Sequence, residues 1–283
     1  MKRKQKSLVA LLLVVACAVF MTTACGKSES EPSSSTAKDT SLSDVMDRGV
    51  LNVAAEGNWT PCVYKDPKSG KLVGFEVEVA KEIGKRLGVK VKEVPADSWD
   101  SAMAGLDNGM YDVLICGAGP TPERKKIYEV GKPYGEQVIG LAVAKDNDSI
   151  KDWKDLKGKT SANSLSSSSG KIARKYGADL VEASLDEGMK LIKRGDADCT
   201  VNDVYALNQY IKANPNCGIE VRLIYKPDHA YEIQSAPLLP KGSKALCNKI
   251  DEITQEMIKD GTCYKLCKKY FGKDFADNVT LYK

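Results

Sequence analysis

Asp179-Leu180-Val181-Glu182-Ala183 reads as a β-strand, residues 185–194 as a helix, and Ala197-Asp198-Cys199-Thr200-Val201-Asn202 as a second strand. Strand, helix and strand at this spacing form a βαβ unit, which predicts parallel strands in one sheet. The alternation continues outward on both sides. A strand near 159–163 and a helix at 169–176 come before it; a helix at 203–213 and a strand at 219–225 follow. Toward the N-terminus, Leu51-Asn52-Val53-Ala54-Ala55 is a strand and Asp66-Pro67-Lys68-Ser69-Gly70 a hairpin-like turn. From Phe75, apolar residues recur at Val79, Ile83 and Leu87, a helix face that Gly88 stops. A strand at 89–94, a helix at 99–108 and an apolar strand at 111–116 come next. Thr121 then reads as the N-cap and Pro122 as the first residue of another helix. Helices at 243–260 and 262–271 finish the chain. The expectation is an α/β protein of parallel sheets covered on both faces by helices, with ligands at the C-terminal ends of strands.

The 283 residues are 42% hydrophobic, 28% charged and 7% aromatic, with Gly (23) and Pro (11) near average. That length buries one large core or two ordinary lobes, and the composition excludes a disordered or collagen-like chain. The net charge of +4 is unevenly placed. Lys2, Arg3, Lys4 and Lys6 fall in residues 1–24, which hold no acid; without them 38 basic residues face 38 acidic ones. A neutral body argues against a nucleic-acid surface.

The basic start leads into an apolar stretch at 8–20, thirteen residues long. That is short of the roughly 20 that a membrane span needs but suits a signal sequence. It ends at Thr22-Thr23-Ala24-Cys25-Gly26, which resembles a bacterial lipoprotein signal with Cys25 as the lipidated new N-terminus. Thr22 departs from the usual Leu. Val14-Val15-Ala16-Cys17 is a rival match, but the mature chain would then open on apolar Ala18-Val19-Phe20-Met21. An ordinary secretory signal is the plainer alternative. Residues 1–24 are thus read as a signal peptide, and 25–40, rich in Ser, Glu, Lys and Thr, as a lipidated Cys with a flexible linker.

Seven cysteines remain in the body, an odd number at irregular spacing and a poor disulfide framework. Cys263 and Cys267 share a helix face and read as small apolar packing residues, while Cys199 and Cys217 could pair. With His229 the single histidine, no His/Cys metal site is expected. Signatures of catalysis also fail. Gly158-Lys159-Thr160 lacks the leading glycine of a phosphate loop, because position 153 is Trp153. Ser168-Ser169-Gly170-Lys171 fits a nucleophilic Ser-x-x-Lys pattern without its companion motifs, and reads more simply as a donor of backbone N–H groups to an anion.

Four motifs then occur in order: Gly74-Phe75-Glu76-Val77-Glu78-Val79-Ala80, Tyr111-Asp112-Val113, Thr121-Pro122-Glu123-Arg124 and Lys132-Pro133-Tyr134. Together they resemble the polar amino-acid binding proteins of ATP-driven importers, the family-3 solute-binding proteins, over about residues 42–272. The resemblance implies a two-lobed clamshell, each lobe a central sheet flanked by helices. Lobe 1 would be 41–143 plus 235–283 and lobe 2 144–234, with crossovers near 142–146 and 231–237. It implies no cofactor, and as partners a free amino acid, a membrane permease and, through Cys25, the outer face of the cytoplasmic membrane. The protein is read as a monomer.

A free amino acid carries a carboxylate and an ammonium on one carbon, so its capture needs a planar cation and an anion in a cleft. Arg124 offers the bidentate fork, and in the family this Arg holds the α-carboxylate. Ser166, Ser167 and Ser168 would add N–H and hydroxyl donors. Asp203 matches the family's acid for the α-ammonium; it is equally a helix N-cap. Glu56 matches a usual Asp, and Trp59 and Trp99 the aromatic walls that would clamp a side chain; core packing is the alternative for both indoles. Trp153 has no such match and reads as structural. Cys116, Gly117 and Gly119 depart from the commonest pattern, Gly119 leaving room at the ligand. The branch that binds cystine also carries Gly there, with loops resembled by Asn163-Ser164-Leu165-Ser166-Ser167 and Thr200-Val201-Asn202-Asp203. Cystine or another polar amino acid is therefore the expected ligand. The alternatives are a cyclohexadienyl or arogenate dehydratase-like enzyme on the same fold, with Glu56 or Asp203 recruited as acid, and a ligand-sensing module.

Overall fold

The structure, a computed structural model, describes residues 38–283. The expected signal peptide, the expected lipidated Cys25 and the expected linker up to residue 37 lie outside the described residues. From Asp39 the chain builds two five-stranded sheets. The first runs in the order Lys90–Pro95, Val50–Ala55, Val113–Leu114, Leu238–Pro240, Tyr128–Val130; the second in the order Asp179–Val181, Thr160–Ala162, Cys199–Asp203, Ile139–Ala144, Ile219–Ile224.

Three adjacent strands of each sheet pair in parallel, as the βαβ alternation requires. The sheets are not wholly parallel, however. Leu238–Pro240 runs antiparallel to both its neighbours, and so does Ile139–Ala144. These two strands follow a crossing between lobes rather than a helix within one. No right-handed crossover then dictates their direction, and each enters its sheet from the far end. Ile139–Ala144 also moves a boundary. Its pairing with Cys199–Asp203 puts it in the second lobe, so the chain leaves the first lobe at Gly135–Glu136, earlier than a boundary at 143. The return crossing Gln234–Ser235 pairs antiparallel with Gly135–Glu136, and these two short strands join the lobes.

The cores follow from side-chain period. Ile139, Leu141 and Val143 face one cluster with Ile172 and Val201, while Ala142 between them faces the other with Met189, Ile192 and Leu207. In the first lobe, Leu51, Val53, Ile83 and Ile250 pack on one face of the sheet, and Trp99, Leu106 and Leu114 on the other. Both sheets are thus buried on two sides, each fully buried Leu or Ile stabilising by about 1.5–3 kcal/mol. Trp153 packs against Tyr176 and Tyr225 in the second lobe, with ring centroids 5.2 and 5.4 Å away. All seven body cysteines are buried and unbridged, Cys199 and Cys217 included.

Local chemistry places the parts that matter for the cleft. Asp66 Oδ1 accepts from the Lys68 and Ser69 amides, closing the turn between Val63–Lys65 and Leu72–Val73. The loop leading into that hairpin docks on the start of the helix Phe75–Leu87, whose Phe75 and Glu76 amides donate to Pro61 and Cys62 carbonyls at 3.1 and 2.9 Å. Gly74 permits the approach: a Cβ there would lie 2.2 Å from the Cys62 carbonyl oxygen, at a φ of +132°. Thr121 Oγ1 caps Pro122–Ile127 by accepting from the Arg124 amide. A short helix, Lys273–Asn278, follows the two expected at the C-terminus.

Candidate functional site

Where the parallel strands of both sheets end, a cavity of about 80 Å³ opens between the lobes. Glu56 follows Val50–Ala55, Cys116 and Gly117 follow Val113–Leu114, and Trp99 opens the helix after Lys90–Pro95; all four line the cavity. Trp59 joins them from the short strand Asn58–Trp59, which pairs with Val63–Lys65, and Ser167 and Ser168 face them from the start of the second-lobe helix Ser168–Lys175. These seven expected site residues are brought together.

Gly119, Arg124, Ser166 and Asp203 are not on the cavity wall. Arg124 is 3% exposed and lies with its guanidinium carbon 5.2 Å from the Trp99 ring centroid. Its Nη1 donates to the Gly119 carbonyl (3.0 Å) and Ser168 Oγ (3.2 Å), and its Nη2 to the Ser166 carbonyl (3.2 Å). Gly119 does leave room, but the space is filled by protein. A Cβ there would stand 2.8 Å from the Tyr231 carbonyl oxygen and 3.1 Å from Ser168 Oγ. Asp203 is the N-cap of Val204–Ala213, its Oδ1 accepting from the Tyr205 and Ala206 amides at 2.9 and 3.1 Å. Gln137, Asn163, Thr200 and Asn202 also line the cavity; the last three fall in the loops that resemble the cystine-binding branch but were not assigned to the site, and Gln137 was missed altogether. Asn163 and Asn202 sit at the ends of second-lobe strands, a position that the rule for α/β sheets would have flagged. Gln137 lies on a crossing, where no motif points.

Ser166 bridges the two lobes. Its Oγ accepts from Trp99 Nε1 at 3.0 Å and donates to Asp100. Asp100 also accepts from the Leu165 and Ser166 amides at 3.2 Å each. Glu182 of the second lobe accepts from the same Leu165 amide at 3.0 Å, and burial and then the nearby Asp100 charge raise its carboxyl pKa. Asp100→Ala would leave the Leu165 and Ser166 donors without their first-lobe acceptor. Small-angle scattering should then show a larger radius of gyration for the free protein, with ligand affinity reduced by about five- to ten-fold. Unchanged dimensions and unchanged affinity would remove Asp100 as a closing contact.

Electrostatics follow burial. Glu56 is pushed up to about 7 by desolvation and by the Asp100 charge, against an N–H bond from Trp99. Asp203 rises to about 6 by burial, offset by its cap donors. Burial lowers Arg124 to about 10. The Cys116 thiol is raised well above its ordinary value by burial and by Glu56 and Glu76, so it is held as a thiol rather than a nucleophilic thiolate. Gly117, at φ +63°, lies under the Trp59 ring; a Cβ would come within 2.3 Å of Trp59 Cη2. Trp59 itself buries its Nε1–H without an acceptor among the described residues.

Two α/β lobes joined by two strands wall a small cavity between them, the architecture of a clamshell. The chain belongs to the bacterial extracellular solute-binding proteins, family 3, whose pattern matches residues 51–273. It is 35% identical over 276 residues to the L-cystine-binding protein TcyA of Bacillus subtilis strain 168, spanning 96% of this chain and 99% of that one. An ancestral arginine-binding protein bound to arginine overlays with a TM-score of 0.71 at 37% identity, over 80% of this chain and 99% of that one. The L-cystine solute receptor of Neisseria gonorrhoeae, unliganded and open, gives 0.53 at 35% identity, over 83% and 98%. At similar identity the overlay is better with the ligand-bound relative, in keeping with the hydrogen bonds that here join the lobes.

Proposed function

We propose that this protein is the extracytoplasmic receptor of an ATP-driven importer, capturing a free amino acid, with cystine the leading candidate, and delivering it to a membrane permease. The observation that carries the reading is a cavity walled by Glu56 and two indoles, with the buried Arg124 guanidinium directly behind Trp99. Arg124 would take the α-carboxylate, exchanging its carbonyl and hydroxyl acceptors for a carboxylate that pairs with both edges of the fork. The Ser166 to Ser168 turn supplies further donors, and negative charge for the ammonium comes from Glu56 on the wall and from Asp203 behind it. Trp59 and Trp99 would clamp the side chain, and the unpaired Trp59 Nε1–H is free to meet a ligand oxygen. Binding shifts the open–closed equilibrium, because one solute touches both lobes only when they close. No covalent step is involved. Cleavage after Ala24 and lipidation of Cys25 would tether the domain, as a monomer, to the outer face of the cytoplasmic membrane.

The test is calorimetric titration of residues 41–283, unfolded and refolded to strip carried ligand, against the common amino acids and cystine. One tight binder, with carboxylate- and amine-blocked derivatives inactive, is the expected result. Silence from a folded sample would overturn amino-acid capture and direct attention to turnover of prephenate or arogenate.

A further inference from the structure

Gln137 stands at the meeting point of the cavity and the two strands that join the lobes. Its backbone follows the outgoing crossing Gly135–Glu136 and donates to the Ile233 carbonyl at 2.8 Å. Its side-chain Nε2 donates to the Gly117 carbonyl at 2.8 Å and to Ser235 Oγ, on the return crossing, at 3.1 Å. Ala236, next along, donates its amide to the Ala118 carbonyl at 2.8 Å, so the return crossing is held to the loop at Gly117 and Ala118 once directly and once through Gln137. Both Nε2 hydrogens are thereby committed, which fixes the orientation of the amide. Among the described residues its Oε1 accepts from no side chain or amide and is not sealed from solvent, while the residue lines the cavity.

An amide oxygen accepts and cannot donate. Of the two charged ends of an amino acid, only the ammonium can serve it. With Asp203 engaged as a helix cap away from the wall, the acceptors available on the wall include Glu56 and this oxygen. We propose that Gln137 reads the ligand's amino group with Oε1 and, through Nε2, ties an occupied cavity to both the Gly117 floor and the return crossing. It is a positioning and specificity-determining residue. The proposal rests on the reading of the cleft as an amino-acid capture site.

The experiment titrates the protein with L-cystine and with 3,3′-dithiodipropionate, which keeps both carboxylates and the disulfide but lacks the amino groups. The wild type should prefer cystine, and Gln137→Met, of similar length without hydrogen-bonding atoms, should shrink that preference by about ten-fold or more. A residue that merely glues the hinge would weaken both ligands equally, and an unchanged ratio would overturn the proposal. Gln137→Glu is the second variant, in case the methionine does not fold. It keeps an acceptor with more charge and should enlarge the preference; no change would again overturn the proposal. A wild type that binds neither compound nor any amino acid sinks the capture reading itself, whereas a wild type that binds with an unchanged Gln137→Met ratio sinks only the role of Gln137.

Discussion

Arg124→Ala is expected to weaken amino-acid binding by about 100-fold or more while the domain stays folded. Two charge-assisted hydrogen bonds to a carboxylate, at about 1.5–3 kcal/mol each, account for that range. The substitution also removes every guanidinium bond between Gly119 on one lobe and Ser166 and Ser168 on the other, so part of the loss comes through closure. Arg124→Lys should not restore affinity, because a point charge cannot present two parallel donors or stack on Trp99. Titration beside circular-dichroism melting separates the cases. A folded Arg124→Ala protein that binds within ten-fold of wild type would end the assignment of Arg124 to the carboxylate.

The second large effect is in pH. Glu56 stands at about 7 in the free protein because burial disfavours its charge. A ligand ammonium beside it would favour that charge, so binding below pH 7 must expel a proton. Affinity should then fall by up to about ten-fold per pH unit as pH drops from 7 toward 5. Glu56→Gln should bind more weakly at pH 8 and lose this dependence. Stability of the ligand-free protein runs the other way. Glu56, Asp203 and Glu76 all have carboxyl pKa values raised by burial, to about 7, about 6 and about 8. Between the ordinary carboxylate range and those values the folded state holds protons that the unfolded chain has released. The free protein is therefore most stable on the acid side of that window and loses stability as pH rises through 6 to 8. Affinity that is flat from pH 5 to 8 would exclude Glu56 as the ammonium partner.

The alternation of strand and helix was legible because each element carries its own period and its own caps, which are local properties. The antiparallel strands Ile139–Ala144 and Leu238–Pro240 were not, since their direction depends on which lobe the chain has just left. The same division holds in the cleft. Glu56, Cys116 and Gly117 lie at strand ends, where topology alone delivers them to the cavity. Arg124 and Asp203 were found by motif, which fixes the backbone but not where the side chain turns. Arg124 turns toward three protein oxygens, and Asp203 toward the amides of its own helix. Gln137 carried no signal, because its importance comes from joining loops 20 and 98 residues away.

The unbridged cysteines give the molecule a reporter of its own. Cys62, Cys116, Cys247, Cys263 and Cys267 are buried in the first lobe and Cys199 and Cys217 in the second, all at 6% exposure or less. Burial raises most of these thiols, so an alkylating reagent meets little thiolate until the surrounding core opens. Mass-resolved alkylation would therefore time the loosening of each lobe separately, with five labels marking one half of the clamshell and two the other.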